Sequence, residues 1–292
     1  MSSTSLRSVV VGVDASPNAQ EALDWAAAEA ARRGVPLHIA HAWSLAPHVP
    51  RADGVDVTKS MIRAAEELLA RAESRVHERH HGLRVDTELL PEEAVPGLIR
   101  LGGHAEMLVV GSRGLGRLSS VLIGSVSQGL VAHAPCPVVV FRTDQAETGS
   151  AAVVLGAGPD EASAPVEFAF AEASRRGVPL LAVRTWQDPT GVYMPYMVMP
   201  PEDSGERDKQ ENRLLLEVLA AARRAHPEVE LLPRVTVGDA ASALVDASSG
   251  ACLTVVGAER HRHRFAMPIG RVAQQVLHHA HSPVAVIPHG HS

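Results

Sequence analysis

The chain has 292 residues, of which 46% are hydrophobic and 21% charged, a composition typical of a globular protein that is large enough for two domains. Its 27 basic and 33 acidic residues give a formal net charge of −6, which argues against nucleic-acid binding because that needs a basic surface. No apolar run reaches the length of about 18 residues that would predict a membrane span. The N-terminal segment MSSTSLRSVVVGVD shows no cleavable signal, so we expect a cytoplasmic protein without nucleic-acid or membrane partners.

Strand and helix patterns alternate along the first half of the chain. Short β-branched runs predict strands that are buried on both faces, and apolar positions at helical spacing predict the helices between them. Proline and glycine mark several boundaries, such as Pro17 before the first helix and Gly34 after it. The predicted strands are 9–13, 36–43, 83–90, 107–110 and 137–141, and the predicted helices are 17–34, 57–81, 96–103 and 124–133.

Four sequence blocks of the first half return in the same order in the second half. The offset between the copies drifts only from 143 to 146 residues, which indicates an internal duplication. A polar, turn-prone segment, TDQAETGS at 143–150, separates the copies, so we predict domains at 1–145 and 150–292. The paired blocks are VVVGVD (9–14) with AVVLGAG (152–158), RRGVPLHIAHAW (32–43) with RRGVPLLAVRTW (175–186), LVVGSRG (108–114) with TVVGAER (254–260), and HAPCPVVV (133–140) with HAHSPVAV (279–286).

Five strands that alternate with four helices predict an α/β fold in each half. We expect two tandem, doubly wound, open parallel five-stranded sheets with helices on both faces and right-handed crossovers. Ligands of such sheets bind beyond the carboxyl ends of the strands. This topology brings Asp14 and the loop that follows Val110 to one edge of the first sheet.

The spacing G-x2-G-x9-G-[ST] from Gly111 to Ser125 predicts an anion site. Glycines after a buried strand favour a turn with positive φ and a close approach to a ligand. The helix that opens at Gly124 offers free N–H groups and a favourable dipole, and the hydroxyls of Ser125 and Ser127 are candidate donors to phosphate. Arg113 and Arg117 add positive charge, and Asp14 is placed to accept hydrogen bonds from ribose hydroxyls.

Plainer interpretations of the same residues stay open. A glycine-rich loop after a strand is often no more than a tight turn, the serines are good helix caps, and Asp14 before Ala15-Ser16-Pro17 is a common turn residue. The chain has neither G-x-x-x-x-G-K-[ST] nor G-x-G-x-x-G, so it carries neither a P-loop nor a dinucleotide-binding fingerprint.

VVVGVDASP, the GSRG…GS loop and the closing SVSQGLVAHAPCPVVV resemble the universal stress protein family, in its tandem form, over the whole chain. The resemblance implies a Rossmann-like fold similar to that of adenine nucleotide alpha hydrolases, and ATP binding, with Mg²⁺, in the first half. One departure concerns Leu90-Pro91-Glu92, where many members carry a Gly-Asp or Gly-His pair, as at Gly238-Asp239 here. The implied ATP-binding residues are Gly12, Asp14, Gly111, Arg113, Gly114, Gly116, Gly124, Ser125 and Val126.

The second half departs from this pattern at three points. Gly158 replaces the acidic residue, Arg260 replaces the second glycine and Arg271 replaces the serine, which predicts weak or absent ATP binding there. The main interpretation is a domain that serves pairing and stability. The alternative is a site for another anion or an acidic partner, because Arg260, Arg262, His263, Arg264 and Arg271 concentrate basic charge near a helix start.

Three further features bear on partners and activity. His77 and His81 have metal-ligand spacing on a predicted helix without a completing carboxylate or cysteine, so we predict no metal site. The Tyr- and Met-rich loop at 187–206 suggests either self-packing or a contact with another subunit. The last strand of each half would be an exposed edge, and in the family it pairs across a two-fold axis, so we expect the halves to pair within the chain and whole chains to form a homodimer.

No Ser-His-Asp set, metal motif or carboxylate pair is apparent near the proposed phosphates. This predicts a nucleotide-dependent regulator or switch in a stress or growth-arrest response, with an unidentified protein partner, rather than an efficient enzyme. A weak ATPase or phosphotransfer enzyme and a nucleotide-free scaffold stay as alternatives.

Overall fold

A computed structural model describes residues 7–43, 57–112, 123–141, 152–158, 161–187, 201–259 and 269–290. The chain divides into two compact units, Met1–Thr143 and Asp144–Ser292.

The first unit is a parallel α/β sheet with the strand order β3-β2-β1-β4-β5. The central strand, β1, is almost fully buried, as its β-branched sequence predicts. The elements in chain order are β1 (Ser8–Gly12), α1 (Pro17–Arg33), β2 (Leu37–Ala42), α2 (Val57–Arg79), β3 (Val85–Leu90), α3 (Ala94–Gly102), β4 (Ala105–Gly111), α4 (Ser125–His133) and β5 (Val138–Phe141).

The second unit repeats this arrangement with the parallel strand order β8-β7-β6-β9-β10. The α/β fold class and the open parallel five-stranded sheet of each half are therefore confirmed. Its elements are β6 (Ala152–Gly156), α5 (Ser163–Arg176), β7 (Leu180–Trp186), α6 (Pro201–Ala225), β8 (Leu231–Val237), α7 (Ala240–Ser248), β9 (Ala251–Glu259), α8 (Arg271–His279) and β10 (Val284–His289).

Helix α1 shows how closely local sequence signals set the element boundaries. The Ser16 hydroxyl accepts a hydrogen bond from the Ala19 N–H, and Pro17 opens the first turn. Gly34 ends the helix with a left-handed φ of 66°, which glycine adopts without strain. Helix α3 differs from the prediction, because it begins at Ala94 rather than at Pro96. Proline is tolerated in a first helical turn, where the N–H groups have no partner inside the helix.

A buried carboxylate anchors the last turn of the first helix in each unit. The Glu29 side chain is fully buried and accepts hydrogen bonds from Arg32 Nη1 at 2.5 Å and Arg33 Nε at 2.6 Å. Arg33 also reaches Glu106 on β4, 2.9 Å away, which ties the helix to the sheet. In the second unit the fully buried Glu172 pairs with Arg175 and Arg176 in the same way. A buried charge of this kind is stable because basic groups surround it.

We expect Glu29→Ala to lower the free energy of unfolding by about 3 kcal/mol, because it leaves a largely buried guanidinium without one of its anions. Urea denaturation of the whole chain measures this loss. Glu66→Ala removes an exposed glutamate from α2 and serves as the control. Equal stability of the two variants would show that the buried carboxylate does not anchor α1.

Candidate functional site

A cavity of about 160 Å³ opens at the carboxyl ends of β1, β2 and β4 in the first unit. This is the edge at which open parallel sheets bind ligands. Its wall is mostly aliphatic, with one acidic side chain and one imidazole among the described residues. The lining consists of Gly12, Val13, Asp14, Ala19, Ala40, His41, Ala42, Ala94, Leu98, Val110, Gly111, Val126 and Ser127.

Two glycines of the predicted site are explained by close packing of helices on the sheet. A Cβ atom at Gly12 would lie 2.9 Å from Leu98 Cδ1 of α3. A Cβ atom at Gly111 would lie 3.1 Å from the Cβ and backbone of Asn18 in α1. Neither glycine has a positive φ, so the left-handed turn predicted after the strand is wrong at Gly111. Their missing side chains let α1 and α3 approach the strand ends.

Asp14 has a structural contact and also faces the cavity. Its Oδ1 atom accepts a hydrogen bond from the Ser16 N–H at 2.9 Å, which forms a turn in front of α1. The carboxylate nevertheless lines the cavity. The turn interpretation of Asp14 therefore holds, and it leaves further acceptor capacity for a ligand.

His41 lines the same cavity and was not singled out from the sequence. Its Nδ1 atom lies 2.7 Å from the Val13 carbonyl oxygen, and because a carbonyl only accepts, Nδ1 carries the proton in this contact. The contact joins the end of β2 to the loop after β1. His41 lies at the carboxyl end of a strand, beside the cavity. This position in the sequence could have identified it as a candidate site residue.

Helix α4 begins at this cavity with no side-chain cap. Its N-cap is Gly124, with φ −65° and ψ 155°, so the first N–H groups of the helix have no capping side chain. The Ser127 hydroxyl is buried and donates to the Gly111 carbonyl oxygen at 2.9 Å. The prediction that Ser127 donates to phosphate is therefore wrong, because this bond fixes the helix start against the end of β4. Ser125 is exposed.

The structure brings six of the nine predicted residues to one edge of the first sheet. Gly12, Asp14, Gly111 and Val126 line the cavity, and Gly124 and Ser125 open the adjoining helix. The remaining three, Arg113, Gly114 and Gly116, lie outside the described residues, as does Arg117. Ligand binding by these nine residues stays a prediction.

The second unit has a cavity of about 310 Å³ at the corresponding strand ends. Glu161, which was not predicted from the sequence, lines this cavity. Its side chain holds the loop after β6. Its Oε2 atom accepts a hydrogen bond from the Gly158 N–H at 2.9 Å, and Arg184 Nη1 donates to the Gly158 carbonyl oxygen at 3.0 Å. Arg184 is buried and pairs with Glu211 at 2.8 Å. Gly158 is therefore held on both sides by charged side chains.

Burial raises the pKa of the Glu161 carboxyl above its ordinary value, and the Gly158 N–H opposes part of that rise. Its Oε1 atom is buried and has no hydrogen-bond partner among the residues that the structure describes. No local sequence pattern predicts this environment, since Arg184 and Glu211, which hold the other side of Gly158, lie on a strand and a helix more than twenty residues away.

The predicted basic cluster of the second unit falls largely outside the described residues, because 260–268 are not described. Arg271 is described, and its guanidinium lies 3.5 Å from Asp239. Hydrogen bonds from Ser242 lower the pKa of the Asp239 carboxyl, which caps α7. The predicted loop at 187–206 ends earlier than expected, because α6 begins at Pro201, and both of its tyrosines lie outside the described residues.

Helix α2 ends at Arg79, so His81 lies beyond it, and the described residues contain no group of three or more His, Cys, Asp or Glu side chains that could hold a metal ion. Within the described part of the chain, no helix combines the length and the apolar character needed to cross a membrane.

Comparison with known proteins identifies the family. The model of the universal stress protein family matches residues 5–142 and again residues 151–288. The universal stress protein Rv2005c of Mycobacterium tuberculosis is 35% identical over 95% of this chain and 96% of its own length. A second protein of that organism, Rv2623, is 34% identical over 95% of each chain. The chain belongs to the universal stress protein family and carries two copies of its domain in tandem.

A solved structure supports the fold independently. The universal stress protein from Archaeoglobus fulgidus DSM 4304 matches with a TM-score of 0.71, over 96% of this chain and 98% of its own, at 18% sequence identity. At that identity the match shows the fold alone.

The raised pKa of Glu161 gives a testable pH dependence. A carboxyl whose pKa is raised in the folded protein loses its proton at a lower pH in the unfolded chain than in the folded one. Above the ordinary glutamate pKa of about 4.3, rising pH therefore favours unfolding. Glu161→Gln removes this effect. We therefore expect its thermal midpoint to rise relative to that of the wild type as pH increases from about 4 to about 7. Differential scanning calorimetry measures it, with the exposed Glu217→Gln as the control. A flat difference for Glu161→Gln would contradict the raised pKa.

Proposed function

We propose that the first unit binds ATP with Mg²⁺ and that the chain acts as a nucleotide-dependent regulator in a stress or growth-arrest response. The observation that carries this proposal is the meeting of Asp14 and the uncapped start of α4 at one cavity. An acidic side chain suits ribose hydroxyls, and an uncapped helix start suits phosphate. The two together fit a nucleotide better than either feature does alone.

The aliphatic part of the cavity is suited to the adenine ring. Ala40 and Ala42 of β2 and Leu98 of α3 provide small and apolar walls there. Asp14 accepts hydrogen bonds from the ribose, and the N–H groups of Ser125 and Val126 lie where the phosphates would bind. In this assignment the predicted Arg113 adds positive charge from the loop.

Mg²⁺ would be held mainly by the phosphates and by water, since this ion keeps much of its hydration shell in nucleotide sites. Among the described residues that line the cavity, Asp14 is the only acidic one. A site with so few protein ligands depends on the nucleotide to bring the ion with it. We therefore assign the signal to nucleotide occupancy, which changes the contacts available to a partner protein, rather than to rapid turnover.

A carboxylate at the start of α4 tests the phosphate position. Asp is a good N-cap and its side chain is compatible with the φ and ψ of Gly124, so Gly124→Asp should keep the helix while it places a negative charge at the anion site. With Mg-ATP at about 100 times its dissociation constant, we expect the wild type to gain about 2.7 kcal/mol, or a few degrees in thermal midpoint. We expect Gly124→Asp to lose most of this gain.

Gly270→Asp provides the matched control in the second unit, because Gly270 caps α8 with nearly the same angles, φ −61° and ψ 153°. This variant should keep the full ATP-dependent shift. If the shift survives in Gly124→Asp and disappears in Gly270→Asp, ATP binds in the second unit. If the wild type shows no shift and the purified protein carries no nucleotide, the protein is a nucleotide-free scaffold.

The proposal includes a homodimer. It rests on the resemblance to a family that pairs through its last strand, from which a further pairing of whole chains is expected. Light scattering coupled to gel filtration should then give about twice the chain mass of 30.9 kDa. A single-chain mass at every concentration tested would remove the homodimer from the proposal without affecting ATP binding.

A further inference from the structure

The loop that follows the central strand differs between the two units in length and charge. In the first unit, residues 13–15 lead from Gly12 to the helix cap Ser16. In the second unit, residues 157–161 lead from Gly156 to the cap Ala162, so this loop is longer and ends at Glu161. The longer loop turns its own carboxylate back onto its backbone, through the bond from the Gly158 N–H to Glu161 Oε2.

Glu161 covers the strand end from which the phosphate loop would start. A Cβ atom at Gly257 would lie 2.6 Å from Glu161 Oε1 and 2.8 Å from His289 Nε2. In the first unit the matching glycine, Gly111, faces the uncharged Asn18 instead. A phosphate at this edge of the second unit would therefore lie beside a carboxylate in a poorly hydrated site, where like charges repel strongly.

The arginines described near Glu161 do not offset this repulsion of a phosphate. Arg184 donates to the Gly158 carbonyl, but its guanidinium is also bound to the buried Glu211. Arg271, at the start of α8, is largely exposed and points its charge at Asp239. Arg184 and Arg271, the two arginines that the structure describes at this edge, are thus each already paired with an acidic side chain.

The remainder of the cavity lining is apolar and suits an uncharged molecule. Val183, Leu244, Val256 and Val272 provide aliphatic walls, and Thr185 contributes a hydroxyl. The volume of about 310 Å³ lies at the lower end of the range, about 300–1,000 Å³, that is usual for small-molecule pockets. A carboxylate in such a wall accepts an N–H or O–H from a ligand.

We propose that the second unit holds a separate site for an uncharged, phosphate-free molecule of about nucleoside size, and that Glu161 is the residue that excludes phosphorylated ligands from it. The site is distinct from the ATP site proposed for the first unit. Occupancy of the two sites is therefore decided by different small molecules.

Methyl NMR of the full chain tests this, because leucine and valine methyls line both cavities. Leu244, Val256 and Val272 report on the second cavity, and Leu98 and Val126 report on the first. The probes are adenosine and adenosine 5′-monophosphate, which differ only by the phosphate. We expect adenosine to shift the second-cavity methyls, and the monophosphate to bind that cavity at least about tenfold more weakly, as repulsion between two close charges requires.

Glu161→Gln keeps the size and an acceptor oxygen and removes the charge, so it should raise the affinity of the monophosphate for the second cavity about tenfold. Glu161→Ala should act in the same direction, and Glu217→Gln, the same change at an exposed site, should have no effect. Equal wild-type affinity for both probes would overturn the proposal. So would second-cavity methyls that respond to neither probe, and the first-cavity methyls show independently whether the ATP proposal stands.

Discussion

The site architecture of each unit depends on one packing constraint, which is the absence of a side chain at the end of the central strand. Gly12 ends β1, and a Cβ atom there would lie 2.9 Å from Leu98 of α3. Gly156 ends β6, and its Cβ atom would lie 2.8 Å from Leu244 of α7. In both units the leucine packs over the bare backbone and becomes part of the cavity wall. A larger residue at either glycine would force the leucine side chain that forms this wall to shift.

The two units place different charged groups on this shared frame. In the first, the acidic residue after the strand faces the cavity, whereas the start of the last helix lacks a side-chain cap in both units. In the second, the acidic residue, Glu161, comes later in a longer loop and accepts a hydrogen bond from the Gly158 N–H of that loop. Arg184 donates to the Gly158 carbonyl and pairs with Glu211. The difference therefore lies in the loops and in the side chains that hold them, while the strands and the packing glycines are the same.

Sequence patterns predicted the fold well because the fold rests on local signals. The cap at Ser16, the left-handed Gly34 and the β-branched strand β1 each act within a few residues, and the last two recur in the second copy as Gly177 and β6. Parallel strand topology also brings Asp14 and Gly111 to one cavity, whatever their separation in sequence.

The contacts that distinguish the two cavities could not be read from local sequence. The bond of His41 to Val13 spans 28 residues, and that of Arg184 to Gly158 spans 26, so neither leaves a short-range pattern. Glycine at position 111 was correctly located at the site, but for the wrong reason. Its role in the structure is to admit Asn18 of α1, and sequence alone does not distinguish a glycine that a ligand requires from one that a helix requires.

The contact between strand glycine and helix leucine has a consequence for how duplicated domains diverge. Both partners of each contact belong to the same copy, so each copy carries its own requirements for folding. Substitutions in the loops of one copy leave that contact intact, and they also leave the other copy unchanged. A gene duplication on this frame therefore allows the loops of one domain to change while the packing contact of each domain is kept.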